Sequence, residues 1–364
     1  MKFAFVIHPT SLDDVARYEP GAAGKGRPLI AKIMQWMPAH AAVHVTGVRT
    51  PDGRETEGWF VLASFLPEQM LELPRETVYR KILDAIEIGA ELGAEIVGLG
   101  AFSGVVGDAG ITLAARSPIP VTTGNSLTVA AGVRSLLRGA AEMDVDPARA
   151  TAVVVGATGA IGSACAELLG ERVGRLVLVA RNATRLERTA EQLRERVSCP
   201  VEATTDLRAA LPRGDLVLTA TTSTLELIEP EDLRPGAVIC ELSLPHDVGR
   251  RVGRERPDVL VTEGGNILVP GEPRFDRVRS AGQFDVGIPA GQALACMSET
   301  MVLALCDRRE NYTLGRGIEL AKVREIDRLA AEAGFELAGM RAFDAEVTAA
   351  DVARARAAAR VLTA

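Results

Sequence analysis

The segment 151–182 constrains the fold more than any other part of this 364-residue chain. It opens with the apolar, β-branched run 152–155, which is typical of a parallel strand buried on both faces. Three glycines follow at once in the spacing G-x-x-G-x-x-G: Gly156, Gly159 and Gly162. A helix over about 161–169 and a second apolar strand at 176–180 complete the segment. This order predicts a doubly wound Rossmann domain with a dinucleotide site at the glycine turn; the alternative is a doubly wound domain whose glycines serve only the turn.

The residue after the second strand predicts which dinucleotide is bound. A carboxylate there would hold the ribose 2′-hydroxyl of NAD, but this chain has Arg181, which suits a 2′-phosphate. NADPH is therefore the expected cofactor, the alternative being a solvated surface arginine. Thr221 and Thr222 follow a later strand, where ligands sit in such sheets and where turn polarity is equally common. The candidate cofactor-binding residues are Gly156, Thr158, Gly159, Ala160, Ile161, Gly162, Arg181, Asn182, Arg185, Thr221 and Thr222.

The remaining patterns predict an α/β protein in which a second α/β domain, for substrate, accompanies the Rossmann domain. A strand, a hairpin around the turn 51–53 and an amphipathic helix over 76–92 fill the first part of the chain. Pro289 is expected to open a helix that runs to Leu305. We expect a substrate domain at 1–147, a nucleotide domain at 148–287, and C-terminal helices at 288–364 that pack back on the substrate domain.

Composition excludes several classes of function. A net charge of −7 and a pI near 5.4 argue against a nucleic-acid partner. The chain has no apolar run of about 18 residues and no signal-peptide pattern, so we expect no transmembrane segment and a cytoplasmic protein. Five scattered cysteines and four histidines form no disulfide framework and no common metal motif, so no metal is expected.

Three stretches outside the glycine turn suggest chemistry. The loops 100–106 and 122–126 combine glycines with hydroxyl or amide groups that could stabilise an oxyanion, although each also fits ordinary loop composition. The third stretch, 285–299, carries Cys296 among apolar residues. By itself this pattern favours a buried small hydrophobic residue, and a nucleophilic role would require a stabilised thiolate near a helix N-terminus.

The chain resembles the long-chain acyl-[acyl-carrier-protein] reductases of cyanobacteria. Matching motifs run in order through nearly the whole chain, at 5–8, 10–12, 64–68, 98–103, 122–125, 156–163, 180–182, 263–265, 288–289, 292, 295–296, 299, 314–316 and 334–335. The resemblance implies a lipid-metabolism enzyme that makes a fatty aldehyde from an acyl thioester with NADPH. It also implies that Cys296 is the nucleophile and carries the acyl group as a thioester intermediate. Asn125, Ser103 and Gln292 become candidates for positioning the acyl oxygen. His8 could assist proton transfer or cap the first strand, the second being the favoured interpretation.

The implied partners are an acyl carrier protein or coenzyme A thioester and an aldehyde-consuming enzyme. The chain departs from the family at Ala101, where the family has a second glycine, at the non-aromatic Leu294 and Met297 beside Cys296, and at 241–245. These changes leave the acyl chain and the carrier open. Two alternatives remain: a shikimate-type ketone dehydrogenase, whose Lys–Asp motif is not found in this sequence, and a catalytically silent NADPH-binding regulator.

Overall fold

The computed structural model describes residues 1–223, 225–280, 282–284 and 287–363. The first part of the chain forms β1 (Phe3–Ile7), α1 (Leu12–Tyr18), α2 (Arg27–Trp36), β2 (His40–Arg49), β3 (Glu55–Leu62), α3 (Pro67–Glu72), α4 (Arg75–Glu91), β4 (Ile96–Leu99), α5 (Ile111–Arg116), β5 (Val121–Thr122) and α6 (Asn125–Glu142). The middle forms β6 (Thr151–Val155), α7 (Ala160–Gly170), β7 (Arg175–Val179), α8 (Ala183–Arg194), β8 (Val201–Thr204), α9 (Leu207–Ala210), β9 (Leu216–Thr219), β10 (Val238–Glu241), α10 (Arg250–Glu255), β11 (Leu260–Glu263) and β12 (Asn266–Leu268). The last part forms β13 (Gly271–Arg277), β14 (Gln292–Leu294), α11 (Ala295–Leu305), α12 (Leu320–Glu332), β15 (Glu336–Leu337), β16 (Arg341–Ala342), β17 (Ala345–Glu346) and α13 (Ala349–Thr363).

The chain divides into two compact units. Unit 1 comprises residues 1–127 and 267–336, and unit 2 comprises residues 128–266 and 337–364. This confirms the predicted two-domain α/β class, in which a Rossmann unit accompanies a second α/β unit.

Unit 1 is built on a mixed six-stranded sheet in the order β13-β2-β3-β1-β4-β5. Strands β1, β3, β4 and β5 are parallel to one another. At one edge of the sheet, β2 pairs antiparallel with β3, and β13 pairs antiparallel with β2. The alternation of β1 explains its two faces: Ala4 and Val6 pack in a core with α4, whereas Phe5 lies on the opposite face and contacts Phe60. Helix α11 packs on β1 and β4 of this sheet.

Unit 2 is an all-parallel sheet in the order β8-β7-β6-β9-β10-β11. This is the strand order of a dinucleotide-binding Rossmann domain, with the reversal of order between β6 and β9. Valines of β6, β7 and β9 share one buried cluster, as continuous apolar strands covered on both faces require.

The structure corrects three boundaries of the sequence analysis. The chain leaves unit 1 at Leu127, inside α6, rather than at 147, because α6 is continuous across the boundary. It returns at Ile267 rather than 288, because β13 pairs with β2 in the sheet of unit 1. The C-terminal helices are divided between the two units. Helices α11 and α12 belong to unit 1, whereas α13 belongs to unit 2, where Arg360 forms an ion pair with Asp144.

The helix expected from Pro289 begins only at Ala295, because residues 292–294 form the short strand β14. No helix in the described part of the chain is long and apolar enough to cross a membrane.

Candidate active site

The glycine turn of unit 2 has the geometry of a dinucleotide cradle. Gly156 has a φ of +84°, and a Cβ at this residue would lie 2.3 Å from the Ala220 carbonyl oxygen. A Cβ at Gly162 would lie 2.3 Å from the Gly156 carbonyl oxygen, so α7 can approach the turn only with glycine there. Helix α7 begins at Ala160, immediately after Gly159, and the N–H groups of its first turn have no intrahelical acceptor. These donors and the positive end of the helix dipole fit a pyrophosphate.

The residues after β7 lie where the ribose 2′-phosphate of the cofactor would bind. Arg181 is exposed two residues beyond the end of β7, as required for a 2′-phosphate contact. Asn182 caps α8, since its Oδ1 accepts a hydrogen bond from the Arg185 N–H at 2.9 Å. The structure therefore gives Asn182 a structural role in addition to its predicted one. Arg185 is exposed in the first turn of α8.

Thr221, just after the end of β9, is held by hydrogen bonds to neighbouring side chains. Its hydroxyl donates to Asp247 Oδ1 at 2.7 Å, and its N–H donates to Ser243 Oγ at 2.8 Å. Burial raises the pKa of Asp247, which acts against the hydroxyl donors that favour its ionised form. Thr222 is exposed beside it. The Thr221 hydroxyl oxygen also accepts the Ser223 N–H at 3.0 Å. The predicted cofactor contacts of Thr221 and Thr222 stay predictions, and for Thr221 the donor and one acceptor position of the hydroxyl are already engaged within the protein.

Unit 1 places Cys296 in the first turn of α11, where three segments converge. Cys296 is the second residue of the helix, and its side chain is half-buried. On one side is Gly124, with a φ of +73°; a Cβ there would lie 2.4 Å from both Cα and Cβ of Cys296. On another side the Ala101 N–H is directed toward the sulfur. The loops 100–106 and 122–126, which the sequence singled out separately, thus meet at this cysteine. Of the stretch 285–299, Asp285 and Val286 lie outside the described residues.

The Cys296 thiol is strongly biased toward its protonated form. Burial raises its pKa to about 12, and the nearby Glu299 adds to this effect. The N–H groups of Met297 and Ala101 favour the thiolate but do not outweigh desolvation. At neutral pH the free thiol therefore predominates, and its proton must leave when the sulfur attacks.

Glu299 connects α11 to the loop that contacts Cys296. It is fully buried one turn after the cysteine. Its Oε1 accepts hydrogen bonds from the hydroxyls of Thr122, at 2.5 Å, and Thr313, at 2.9 Å, while Oε2 accepts the Leu127 N–H at 2.8 Å. Burial raises the Glu299 pKa, and these donors oppose that shift. A buried carboxyl satisfied in this way fixes the loop 122–127 against the helix.

The three residues predicted to position the acyl oxygen differ in how available they are. Gln292 lies in β14, and its buried Oε1 has no hydrogen-bond partner within the described residues. Because the two ends of a carboxamide can exchange, this atom position could equally present N–H donors to a ligand. Asn125 begins α6 directly after Gly124 and is half-buried. Ser103 is fully buried and its hydroxyl donates to the Gly100 carbonyl at 2.6 Å, so its proton is already engaged.

His8 supports the turn beside Cys296. Its Nε2 accepts the Phe102 N–H at 3.0 Å, and Nδ1 lies 2.9 Å from the Pro9 carbonyl oxygen, which assigns the proton to Nδ1. Burial lowers the His8 pKa. Both ring nitrogens are therefore engaged, as the structural interpretation of this residue requires.

The sequence analysis missed Gly124, Ala101 and Glu299 as parts of this site. Ala101 has a φ of +45°, an unusual conformation for alanine, at the position where the related reductases have glycine. The sequence did contain an indication that Glu299 has a special role, because it is the only charged residue within α11. Nothing local indicates that Gly124 would contact a residue 172 positions later.

Comparisons with known proteins agree with the two-unit fold. Residues 140–261 match the family model described as Shikimate / quinate 5-dehydrogenase. Over 351 residues the chain is 33% identical to the aminotransferase PigE of Serratia sp., a match that covers 92% of this chain and 39% of the relative. Over 304 residues it is 29% identical to the long-chain acyl-[acyl-carrier-protein] reductase of Synechococcus elongatus, covering 79% of this chain and 85% of the relative. The chain thus spans about two fifths of the length of the aminotransferase relative.

Among solved structures, the nucleotide-binding domain of glutamyl-tRNA reductase from Thermoplasma volcanium matches with a TM-score of 0.27 and 16% identity. It covers 37% of this chain and 84% of that chain. The family match falls on unit 2, where the glycine cradle and Arg181 lie. Unit 2 is therefore a dehydrogenase-type Rossmann unit for NADPH.

Proposed function

We propose that this chain reduces an acyl thioester to the aldehyde through a thioester intermediate on Cys296. The observation that carries the proposal is the position of this thiol. It lies in the first turn of α11, against the Ala101 N–H and the glycine loop at Gly124. Four residues before it is Gln292, whose Oε1 has no hydrogen-bond partner among the described residues. The reductase relative, which the chain covers over 85% of its length, supports the same reaction.

The residues of unit 1 supply the acyl-transfer step. The Cys296 sulfur loses its proton and attacks the thioester carbonyl carbon; a bond to Cys296 forms, the bond to the carrier sulfur breaks, and the carrier leaves as a thiol. In this proposal the N–H donors at the start of α11 and the Gln292 amide would bind the acyl oxygen as negative charge develops on it. Glu299 holds the loop that confines the sulfur.

The cradle of Gly156 and Gly162 would hold NADPH, with Arg181 toward its 2′-phosphate, and the bound cofactor would supply the hydride for reduction of the acyl carbon. Cleavage of the bond between the reduced acyl carbon and Cys296 Sγ would release the aldehyde and leave a thiolate, which takes up a proton to restore the Cys296 thiol. The thioester arrives on an acyl carrier protein or on coenzyme A, and an enzyme that consumes aldehydes would act on the product.

The family match also supports a second candidate, a shikimate-type dehydrogenase that reduces a ketone without a covalent step. Such chemistry needs a lysine free to contact a polar substrate. Lys81, the lysine nearest in sequence to the relevant loops, donates from Nζ to the carbonyls of Met34 and Gln35 at 2.9 Å and lies over the Phe65 ring. The same engagement argues against Lys81 as the Schiff-base lysine of an aminotransferase.

Intact-protein mass spectrometry tests the proposal. The protein is incubated with palmitoyl-acyl carrier protein or palmitoyl-coenzyme A, without NADPH. We expect an acyl mass increment that disappears when NADPH is added and that Cys296→Ala lacks. The matched control is Cys306→Ala, which removes another half-buried thiol at the opposite end of α11 and should retain the adduct. An adduct that persists in Cys296→Ala would refute the assigned nucleophile. Cofactor binding without adduct or turnover would favour the ketone dehydrogenase or a silent NADPH-binding regulator.

A further inference from the structure

We propose that the outward face of α2 is a docking surface for the acidic carrier protein that presents the thioester. This face consists of Leu29, Lys32, Ile33 and Trp36, and we call it the α2 face. The inference rests on the proposed function for the identity of the carrier. The surface itself is recognised from exposure and charge alone.

Helix α2 is apolar on two sides, only one of which is covered. Ile30 and Met34 are buried in a small core with Leu66. Leu29, Ile33 and Trp36 follow the i, i+4, i+7 spacing of a single helical face and remain 51%, 45% and 80% exposed. A tryptophan exposed to this extent at the end of an apolar stripe is characteristic of an interface residue.

The exposed stripe belongs to a helix that is held firmly in place. Lys81 Nζ donates to the carbonyls of Met34 and Gln35 in the last turn, where a positive charge also stabilises the helix dipole. Gln69 Nε2 donates to the Ala31 carbonyl at 2.9 Å. The α2 face is therefore presented in one orientation, which reduces the entropy lost on docking.

The basic residues on and near α2 indicate an acidic partner. The chain has a net charge of −7, yet residues 20–51 contain no aspartate or glutamate, and Lys25, Arg27 and Lys32 lie on or just before α2. Arg27 forms an ion pair with Glu68, whereas Lys25 and Lys32 are exposed and have no salt bridge to any described residue. An apolar centre with basic neighbours complements a protein surface that carries carboxylates around exposed apolar side chains.

Two other occupants fit less well. A second copy of the chain, docked symmetrically, would bring the same lysines against each other. An anionic membrane would attract the few basic residues of a ten-residue helix only weakly, while repelling the acidic remainder of the chain.

Trp36 itself can report the contact. The chain has two tryptophans, so Trp59→Phe leaves Trp36 as the only indole. We would titrate this protein with a tryptophan-free acyl carrier protein in its phosphopantetheine form and follow the emission maximum. The expected result is a saturable shift to shorter wavelength that weakens with added salt. In the same background, Lys32→Glu and Ile33→Glu should raise Kd at least tenfold. Val361→Glu, at an exposed apolar residue of α13, should leave Kd unchanged.

Three outcomes would overturn the proposal: no shift with the carrier protein, a shift only with phosphatidylglycerol vesicles, or a shift that depends only on the concentration of the chain itself. Kinetics separates this proposal from the proposed function. The α2 variants should raise KM for palmitoyl-acyl carrier protein and leave KM for palmitoyl-N-acetylcysteamine unchanged. A chain that reduces the small thioester without binding the carrier refutes the docking surface alone. A chain that binds the carrier and reduces neither thioester refutes the reductase function alone.

Discussion

Replacing Gly124 by alanine should displace the loop that confines Cys296. The substitution adds a Cβ that would lie 2.4 Å from Cα and Cβ of Cys296 and 2.6 Å from its carbonyl oxygen. Carbon atoms in contact are normally about 3.5 Å or more apart, so backbone must separate from backbone by about 1 Å. No flexible side chain is available to absorb the displacement, because the atoms approached belong mainly to the main chain of α11.

The expected destabilisation has two parts. Alanine at a φ of +73° costs about 1–2 kcal/mol, of which the reduced freedom of the unfolded chain offsets about half or more. Overpacking adds about 1–3 kcal/mol. We expect a net loss of about 2–3 kcal/mol, equivalent to about 4–12 °C in Tm for a cooperative unit of roughly 200 residues. Acylation of Cys296 should fall about a hundredfold, the effect of a 1 Å displacement of a reacting group.

Gly24→Ala is the matched control. Gly24 has a φ of +72°, and its added Cβ would meet nothing within 4 Å. This variant therefore carries the conformational cost without the steric one and should remain within about 1 kcal/mol of the parent. Thermal unfolding and the rate of adduct formation are measured on both variants. If Gly124→Ala unfolds with the same Tm as Gly24→Ala and acylates normally, the contact between Gly124 and Cys296 is not the constraint described above.

Further predictions address ionisation, strain, the buried carboxyl and the cofactor. Because the Cys296 pKa is about 12, the thiolate fraction and hence the acylation rate should rise about tenfold per pH unit from pH 7 to 9; a plateau below pH 8 by rapid-quench mass spectrometry would show that bound substrate lowers that pKa. Ala101→Gly should raise the free energy of unfolding by up to about 1 kcal/mol by removing the cost of a φ of +45°; a lower Tm would contradict this. Glu299→Gln should cost about 1–3 kcal/mol, because its amide nitrogen must face a buried donor, and should slow acylation without changing NADPH affinity; wild-type acylation would exclude the positioning role. Arg181→Ala should weaken NADPH binding about tenfold or more while leaving NADH binding unchanged; equal losses for both cofactors by calorimetry would assign Arg181 to the surface.

The sequence by itself determined the Rossmann class of unit 2 and the strands β6 and β7 on either side of its glycine turn. Strands β6 and β7 are continuous apolar runs, as expected of buried parallel strands, and the glycine spacing between them is typical of the tight turn of a Rossmann domain. Local periodicity and glycine conformation are therefore enough to predict this part of the fold. The same information located Arg181 and both hydroxyl-bearing loops. The motifs shared with a reductase family then indicated Cys296, whose apolar surroundings alone had favoured a packing role.

Only the tertiary structure decided how unit 1 is completed and what surrounds Cys296. Strand β13 has four charged residues among its seven and also contains Pro273, so its composition does not indicate a strand. It nevertheless pairs with β2, more than 220 positions earlier. Gly124 contacts Cys296, and Glu299 binds the loop 122–127, across a similar separation. Ala101, with its positive φ, precedes Phe102, whose N–H donates to His8 near the start of the chain. Local periodicity reflects interactions between neighbouring residues, whereas these contacts arise when distant segments share one core; their geometry therefore exists only in the folded chain.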